Sequence, residues 1–342
     1  MTAQRVSISD VATHAGVSVT TVSHTISGNR PVSAATEQRV RASMSELGYE
    51  SSHAAKALRL GTSQAIGILV PDITNHFFAE LASGVEDAAH SAGFSVVLGN
   101  TGFDPEREAT YLKMIQSRAI DGLVYAAGSP VARSMIEGVA SSFPVALADE
   151  EIDAAPAILV TSDHEGGGRL VGEHLTQLGH ESVLVITGPK GLRSSDDRLA
   201  GFRQEFGGVI TVVGGDFKTQ SGYDTIVEHP PRGTSQYTAV FALNDLMALG
   251  AIRALRDIGL DIPGDVSVCG FDDIPTAELM HPTLTTVTQQ ARRIGHDAAE
   301  RLLAQLTGRT DDAAATVLSV VLADRESTAP PRSRAHERNE PL

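Results

Sequence analysis

Residues 8–26 read ISDVATHAGVSVTTVSHTI. Ala12, Gly16 and Val22 fall where two crossing helices joined by a tight turn need a small residue, a turn residue and a buried β-branched residue. A helix passing close to the next leaves room at position 12 for a methyl group only. The turn requires φ > 0, which glycine adopts without steric cost. Ser18 stands where an N-cap belongs, its oxygen placed to accept a backbone N–H of the following helix. That helix presents Val19, Thr20, Thr21 and His24 outward, and such a helix can enter a DNA major groove. Ser18, Ser23 and Asn29 complete the candidate DNA-contacting set in this region. An ordinary surface helical hairpin would satisfy the same three-residue spacing, so the rest of the chain has to decide.

The flanking residues extend the pattern to three short helices over residues 7–49. Ser7 followed three residues later by Asp10 is a helix-start signature. Ser33 starts the third helix, whose Val40, Met44 and Leu47 keep helical spacing, and Gly48 ends it. Residues 51–60, SSHAAKALRL, could form one further helix of two to three turns. A lone helix that short is marginal in water, so it should form only when packed against something.

At 342 residues and 42% hydrophobic content, the chain has length for two or three domains and a large core. The formal charge of −15 argues, taken whole, against a nucleic-acid binder, but it is unevenly distributed. Residues 1–62 hold six Lys/Arg and four Asp/Glu, a net of +2, which leaves −17 on the remaining 280. A mildly basic head on an acidic body suits a domain that touches phosphates and a body that does not wrap DNA. A head at +2 is weakly charged, so tight binding calls for two heads acting together. The single cysteine, Cys269, lies in the apolar run VSVCG and is expected to pack as a small hydrophobe. One thiol permits no internal disulfide, which fits a reducing cytosol. The N-terminus lacks the apolar run of a signal peptide, and no stretch approaches 18 apolar residues. These features predict a cytoplasmic, soluble protein with no membrane association.

From residue 64 short apolar runs alternate with amphipathic stretches. The runs are AIGILV (65–70), FSVVLG (94–99), GLVYAA (122–127), PVALAD (144–149), AILVTSD (157–163), SVLVIT (182–187), VITVVG (209–214), AVFAL (239–243) and VSVCGFDD (266–273). Helices are expected between them, among them 78–92, 165–178, 197–206 and 245–258. This alternation means parallel sheets covered on both faces, and two successive series suggest two doubly wound subdomains. A late helix over 291–306 and a strand LSVVL (318–322) would complete them. The tail from Ser327, polar and Pro-rich, reads as disordered.

In open parallel sheets, ligands bind beyond the carboxyl ends of the strands. Here those ends carry Asp72, Asn75, His76, Phe77 and Phe78, then Asn100, Asp149, Asn244, Asp245, Asp272 and Asp273. Arg198 opens a helix after SVLVIT. Carboxylates, amides, one Arg and aromatic faces around a cleft suit a polyhydroxylated ring: Asp and Arg bond vicinal hydroxyls, and an aromatic ring covers the apolar face of a sugar. A nucleobase could use the same groups. Asp72, Asp163 and Asp245 read equally as helix caps. No catalytic constellation emerges. Gly166-Gly167-Gly168 lacks the Lys-Ser/Thr of a phosphate-binding loop, no Gly-x-Ser-x-Gly elbow occurs, and no His/Cys/Asp cluster has zinc spacing. No catalytic residue, metal site or cofactor is expected.

Several separated motifs together resemble the lactose-repressor (LacI/GalR) family of bacterial transcription regulators, from about Ser7 to Arg325. They are DVATHAGVSVTTVSHTISG, VSAATEQRVRASMSELGY, AAKALRLGTSQAIGILVPD, DGLVYAA, RLAGF, GDF, NDLMALGAI and DVSVCGFDDIPTAELMHPTLTTV. TTVSH, NHFFAEL and VLGNT look most like the ribose and purine repressors. The resemblance implies an all-α helix-turn-helix head (1–50), a hinge helix or linker (51–62) and a body (63–326) of periplasmic-binding-protein type. The body would be two parallel-sheet lobes with crossings near 162, 289 and 323, followed by a disordered tail (327–342). It implies a homodimer that binds a palindromic double-stranded DNA operator. Val19, Thr20 and His24 match operator-choosing positions. Leu58 matches the hinge leucine that wedges into the minor groove, with Lys56 and Arg59 beside it. Phe77, Phe78, Asp149, Arg198, Phe217, Asn244 and Asp272 form the implied effector pocket, to which the strand-end reading adds His76, for a sugar or a nucleoside or purine, with control by a partner protein as the alternative. Two positions depart from the pattern: Val19 is apolar where a polar group is usual, and Thr25 stands where an apolar residue usually packs. The tail lacks leucine heptads, which argues against tetramers built on a C-terminal coiled coil.

Overall fold

The central apolar runs become buried strands because their β-branched side chains fill both faces of a sheet that helices cover, while the edge runs at 95–100 and 209–214 stay largely exposed. The computed structural model describes residues 6–27, 30–49, 62–115, 119–126, 133–152, 155–231, 237–309 and 315–332. The chain divides into two units, Met1–Ser63 and Gln64–Leu342.

The first unit holds α1 (Ile8–Ala15), α2 (Val19–Ser27) and α3 (Ala34–Leu47). Val11, Ala12, Ala15, Val22 and Val40 form its core. The ends of α1 and α3 have local causes. Ser7 and Asp10 make a reciprocal capping box on α1. Gly16 ends α1 at φ 64°, with Val17 N–H on Ala12 O at 3.0 Å and Gly16 N–H on Thr13 O at 3.3 Å. This is a Schellman closure, and Gly48 repeats it after α3 with Tyr49 N–H on Met44 O at 2.8 Å. A Cβ at Gly16 would meet nothing within 4 Å, so its left-handed backbone, and not lack of space, calls for glycine.

The second unit begins with β1 (Ala65–Val70), α4 (His76–Ser91), β2 (Ser95–Asn100), α5 (Pro105–Ile115), β3 (Gly122–Tyr125), α6 (Arg133–Ala140), β4 (Val145–Ala148) and β5 (Ile158–Ser162). It continues with α7 (His164–Gln177), β6 (Ser182–Thr187), α8 (Arg193–Glu205), β7 (Val209–Gly214), α9 (Thr219–Glu228), β8 (Ala239–Ala242), α10 (Asp245–Asp257) and β9 (Ser267–Cys269). The last elements are α11 (Thr276–Leu279), β10 (Thr286–Thr288), α12 (Ala291–Leu306), β11 (Thr316–Leu318) and β12 (Val321–Ala323). One lobe carries a parallel sheet in the order β11-β5-β4-β3-β1-β2, the other a parallel sheet β7-β6-β8-β9. β10 and β12 form a separate antiparallel pair. In each sheet the strand order reverses beside its first strand, at β1/β3 and at β6/β8, and these are the switch points where ligands bind in such folds.

Three helix pairs pack through reciprocal glycines. A Cβ at Gly84 would lie 1.9 Å from Arg292 O, and one at Gly295 2.0 Å from Leu81 O, which joins α4 to α12. A Cβ at Gly168 would lie 2.0 Å from Arg198 O and one at Gly201 1.9 Å from Glu165 O, joining α7 to α8. Gly222 and Gly250 do the same for α9 and α10 against Met247 O and Thr219 O. The run Gly166-Gly167-Gly168, which lacks phosphate-loop chemistry, is thereby explained residue by residue. A side chain at Gly166 would strike the Asp163 cap, at Gly167 the Phe271 ring, and at Gly168 the backbone of α8.

Four sequence expectations need correction. LSVVL is two strands, not one: β11 pairs with β5 in the first lobe, and β12 pairs with β10 beyond the break at 319–320. The third crossing therefore lies at 319–320 and not near 323. The helix expected from Asp197 begins at Arg193, because its N-terminus is held by a distant group and not by a local cap. The tail is ordered through Arg332. Ser327 is fully buried, its O accepts from Val268 N at 2.8 Å, and its Oγ donates to Val268 O at 2.6 Å. His174 reaches Thr328 at 2.9 Å, His180 reaches Ala329 O at 3.1 Å, and Arg332 pairs with Asp265 at 2.6 Å. Edge pairing against β9 and two histidines order a segment whose composition alone suggested none. Cys269 is fully buried, as its apolar surroundings predict, and burial pushes its thiol pKa up.

Replacing Gly168 with Ala should force α7 and α8 apart and destabilise the protein by about 1–3 kcal/mol, the usual range for overpacking. Urea denaturation followed by circular dichroism checks this; an unchanged midpoint would refute the close-contact reading.

Candidate functional site

In the N-terminal unit, α2 offers a polar outer surface. Ser18, Val19 and Thr20 are exposed and Thr21, Ser23 and His24 half-exposed. Ser18 Oγ accepts from Thr21 N at 3.1 Å and shares a hydrogen bond with Thr21 Oγ1 at 2.9 Å. The hydroxyls of Ser18 and Thr21 are therefore tied to the cap. Val19, Thr20, Ser23 and His24 remain as the outward groups. Thr25 is buried, and its hydroxyl finds no partner among the described residues. Asn29, Lys56, Leu58 and Arg59 lie outside the described residues.

In the second unit, the strand ends of the two lobes face one another around a cleft with roughly 420 Å³ of empty space, part of it open to solvent. Its walls include Phe77, Phe78, Phe103, Asp149 and Glu150 from one lobe, with Arg198, Phe217, Asn244 and Asp272 from the other. Phe77 and Phe78 meet edge to face at 5.1 Å, and Phe103 of one lobe lies 6.5 Å from Phe217 of the other.

Arg198 is the centre of the polar arrangement and is only 3% exposed. Its Nη1 donates to Leu243 O at 2.6 Å and lies 3.6 Å from Asp272 Oδ1, while its guanidinium carbon sits 4.0 Å from the Phe271 ring centre. Its Nε donates to His164 Nδ1 at 3.3 Å. An arginine Nε always carries a proton, so Nδ1 must present its lone pair and the imidazole proton sits on Nε2. From there it faces Asp149, with O at 3.1 Å and Oδ1 at 3.3 Å. A continuous chain thus runs Asp149–His164–Arg198–Asp272. The two carboxylates respond oppositely. Burial would raise Asp149, but hydrogen bonding to His164 and the charge of Arg198 outweigh it and hold the carboxyl below its ordinary pKa. Burial dominates at Asp272 and lifts it well above the usual range against the pull of Arg198.

Strained backbone gathers at the same place. Asp149 (φ 69°), Phe103 (φ 59°), Phe217 (φ 65°) and Asp272 (φ 115°) all line the cleft and are four of the six non-glycine residues with positive φ among those described. Asn244 caps α10 through Met247 N at 2.9 Å and donates to Phe217 O at 3.0 Å, which holds the aromatic in place. Among the described residues, buried oxygens without a protein partner also lie at these strand ends and crossings: Thr101 Oγ1, Ser162 Oγ and Gln289 Oε1.

Seven of the eight residues expected in the pocket therefore come together. His76 does not: it is exposed on α4 and paired with Glu80 at 3.8 Å, because the helix turns it away from Phe77 and Phe78. Of the three acids with two readings, Asp163 caps α7 through Gly166 N at 2.8 Å. Asp72 closes a turn onto Thr74 N at 2.9 Å. Asp245 does neither. It is fully buried, accepts from Thr286 Oγ1 at 2.6 Å and Ile274 N at 2.9 Å, and clamps the turn that carries Asp272. Phe103, Glu150, Ser194, His164 and Gln289 escaped the sequence reading. Phe103 follows β2 and Glu150 follows β4, so the strand-end rule extended by one to three residues finds both. The same extension reaches His164 after β5 and Gln289 after β10, but nothing local marks Ser194.

A helical head with an outward-facing second helix, together with a two-lobed unit that holds a polar and aromatic cleft, defines the class of ligand-responsive DNA-binding regulators. Residues 7–52 match the model of the bacterial regulatory proteins of the lacI family, and residues 173–328 match a periplasmic binding protein-like domain. The chain is 33% identical over 335 residues to the HTH-type transcriptional regulator DegA of Bacillus subtilis, covering 95% of this chain and 99% of that one. It is 34% identical over 310 residues to the HTH-type transcriptional repressor PurR of Vibrio atlanticus, covering 87% and 91%. Among solved structures, the Lac repressor dimer bound to operator and the anti-inducer ONPF superposes with a TM-score of 0.81 at 30% identity, covering 95% of this chain and all of that one. A ribose-bound LacI family regulator from Enterococcus faecalis superposes at 0.72 with 32% identity, covering 78% of this chain and all of that one. The chain belongs to the lacI family of bacterial regulatory proteins. It is a DNA-binding transcriptional regulator and not an enzyme. Among the described residues no helix is long and apolar enough to cross a membrane.

Burial, with lesser repulsion from Asp273 outweighing the pull of Arg325, raises the Asp245 pKa to about 7. An acid raised on folding contributes stability below its unfolded pKa of 3.8 and loses it as pH climbs through about 7. Between pH 4 and 8, the melting temperature of the wild type should therefore fall more steeply with pH than that of Asp245→Asn. Parallel curves in thermal scans would show that Asp245 does not titrate there.

Proposed function

We propose that this protein is a cytoplasmic, homodimeric repressor that binds a palindromic operator and is controlled by an uncharged monosaccharide, such as ribose, in the interlobe cleft. The observation that carries the effector reading is the cleft itself. A buried Arg198 flanked by Asp149 and Asp272 offers paired polar groups for vicinal hydroxyls. Phe77, Phe78, Phe103 and Phe217 offer aromatic faces for the apolar side of a ring. Gln289, whose Nε2 donates to Asp272 at 2.8 Å, has its Oε1 buried and unpartnered among the described residues and would accept a hydroxyl proton. The ribose-bound relative supports the same class of ligand.

Dimerisation is supported by the two outer strands. Among the described residues, β2 and β7 each pair on one side only. They expose Val97 (55%), Leu98 (43%), Val209 (65%) and Val212 (38%). A second copy would cover them and bring two weakly basic heads to two half-sites related by a two-fold axis. Each correct base contact from Thr20 or His24 would contribute about 1–3 kcal/mol of discrimination. In this reading Leu58, flanked by Lys56 and Arg59, inserts at the centre of the palindrome once paired hinge segments fold on DNA. Ligand that changes the angle between lobes then decides whether those segments can pair. Full switching between 99:1 and 1:99 needs about 5.5 kcal/mol of ligand preference for one state.

Calorimetry with ribose, other monosaccharides, nucleosides and purines, alongside footprinting on operators selected from random DNA, tests the reading. Ribose or a close relative should bind, and Arg198→Ala or Asp272→Ala should abolish the ligand response while operator binding persists. A full response in both variants would place the effector elsewhere. A Val97→Asp/Val209→Asp double variant should sediment as a monomer and lose at least tenfold in operator affinity; an intact dimer would remove these strands from the interface.

A further inference from the structure

Glu150 reaches across the cleft. It directly follows β4 and Asp149 in one lobe and is only 4% exposed, yet its partners belong to the other lobe. Its Oε1 accepts from the backbone N–H of Arg193, and its Oε2 from that of Ser194 at 3.3 Å. These are the first two residues of α8, whose own N-cap position, Leu192, offers no side-chain acceptor. A 13-residue helix that opens into a ligand cleft with free N–H groups is a ready-made anion site. Here the chain fills that site with its own carboxylate.

The surroundings amplify the effect. Asp149, Glu150 and Asp272 are buried around a single guanidinium, Arg198. His164 lies between Arg198 and Asp149, its Nδ1 accepting from Arg198 Nε. Burial first, and then repulsion from Asp149, hold the Glu150 carboxyl above its ordinary pKa even with the helix amides donating to it. Three buried carboxyls thus share the cleft with one guanidinium.

We propose that Glu150 determines the charge class of the effector: it occupies the anion site at the start of α8 and closes the lobes onto uncharged ligands, so that phosphorylated sugars and other anions are refused. This deepens the sugar-effector reading and rests on it for the identity of the neutral ligand only. The same carboxylate acts as the cap that α8 lacks and as a clasp between lobes, so selection and closure are joined in one group.

Calorimetry on the full-length wild type, Glu150→Ala and Glu150→Gln with ribose, ribose 5-phosphate and inorganic phosphate tests the proposal, with circular dichroism confirming that each variant is folded. The wild type should prefer ribose over ribose 5-phosphate by at least 100-fold and ignore inorganic phosphate. Glu150→Ala should narrow that gap at least tenfold and bind inorganic phosphate at millimolar concentration. Glu150→Gln, which keeps the shape and loses the charge, should narrow the gap in the same direction and decides the matter if the alanine variant is unfolded. Equal wild-type affinity for both sugars, or no gain for phosphate or ribose 5-phosphate in any folded variant, would overturn it. Should the wild type bind neither sugar while Glu150→Ala gains phosphate binding, the ribose reading fails and the role of Glu150 stands.

Discussion

A guanidinium buried to 3% exposure is the constraint around which the sensing unit is organised. Removing a charge from water costs several kcal/mol unless it is paired and fully hydrogen-bonded. Arg198 meets that demand with the Leu243 carbonyl after β8, the Phe271 ring and Asp272 after β9, and His164 at the start of α7. His164 in turn connects to Asp149 after β4 of the other lobe. Four separate stretches must converge for one side chain to be tolerated. Their convergence is the cleft.

Holding these stretches in place falls to contacts that carry no chemistry of their own. Gly168 and Gly201 let α7 and α8 approach until backbone meets backbone, which sets the height of Arg198 and His164 relative to the strand ends. Asp245 clamps the turn after β9, and Asn244 holds the Phe217 carbonyl. Both look like ligands from sequence position, and both hold neighbouring cleft residues in place. The strained φ values of Asp149, Phe103, Phe217 and Asp272 persist because such contacts over-determine them.

The head follows a different logic. Its core is a handful of small aliphatic side chains, and its helices are delimited by local capping and Schellman closures. Those devices leave the outer face of α2 free of structural duty apart from Ser18 and Thr21. The buried, unpartnered hydroxyl of Thr25 is the one local cost, at a position where an aliphatic side chain would pack without it.

Sequence by itself determined whatever depends on neighbours in the chain. The helix-turn-helix, the parallel strands with their polar carboxyl ends, and six of the cleft residues were legible because turns, caps and apolar periodicity act over a few residues, whereas Phe217 entered only through the family resemblance. Tertiary structure alone decided the rest. His76 and Phe77 are adjacent in sequence yet part ways, because helix phase sends one to solvent and the other to the cleft. LSVVL divides between two lobes, because each half finds a different pairing partner. α8 starts at Arg193 because a carboxylate more than forty residues earlier caps it, and the Pro-rich segment after Ser327 is ordered because β9 offers it an open edge. In each case the deciding interaction joins groups distant in the chain, and no local pattern encodes a partner that only folding brings near.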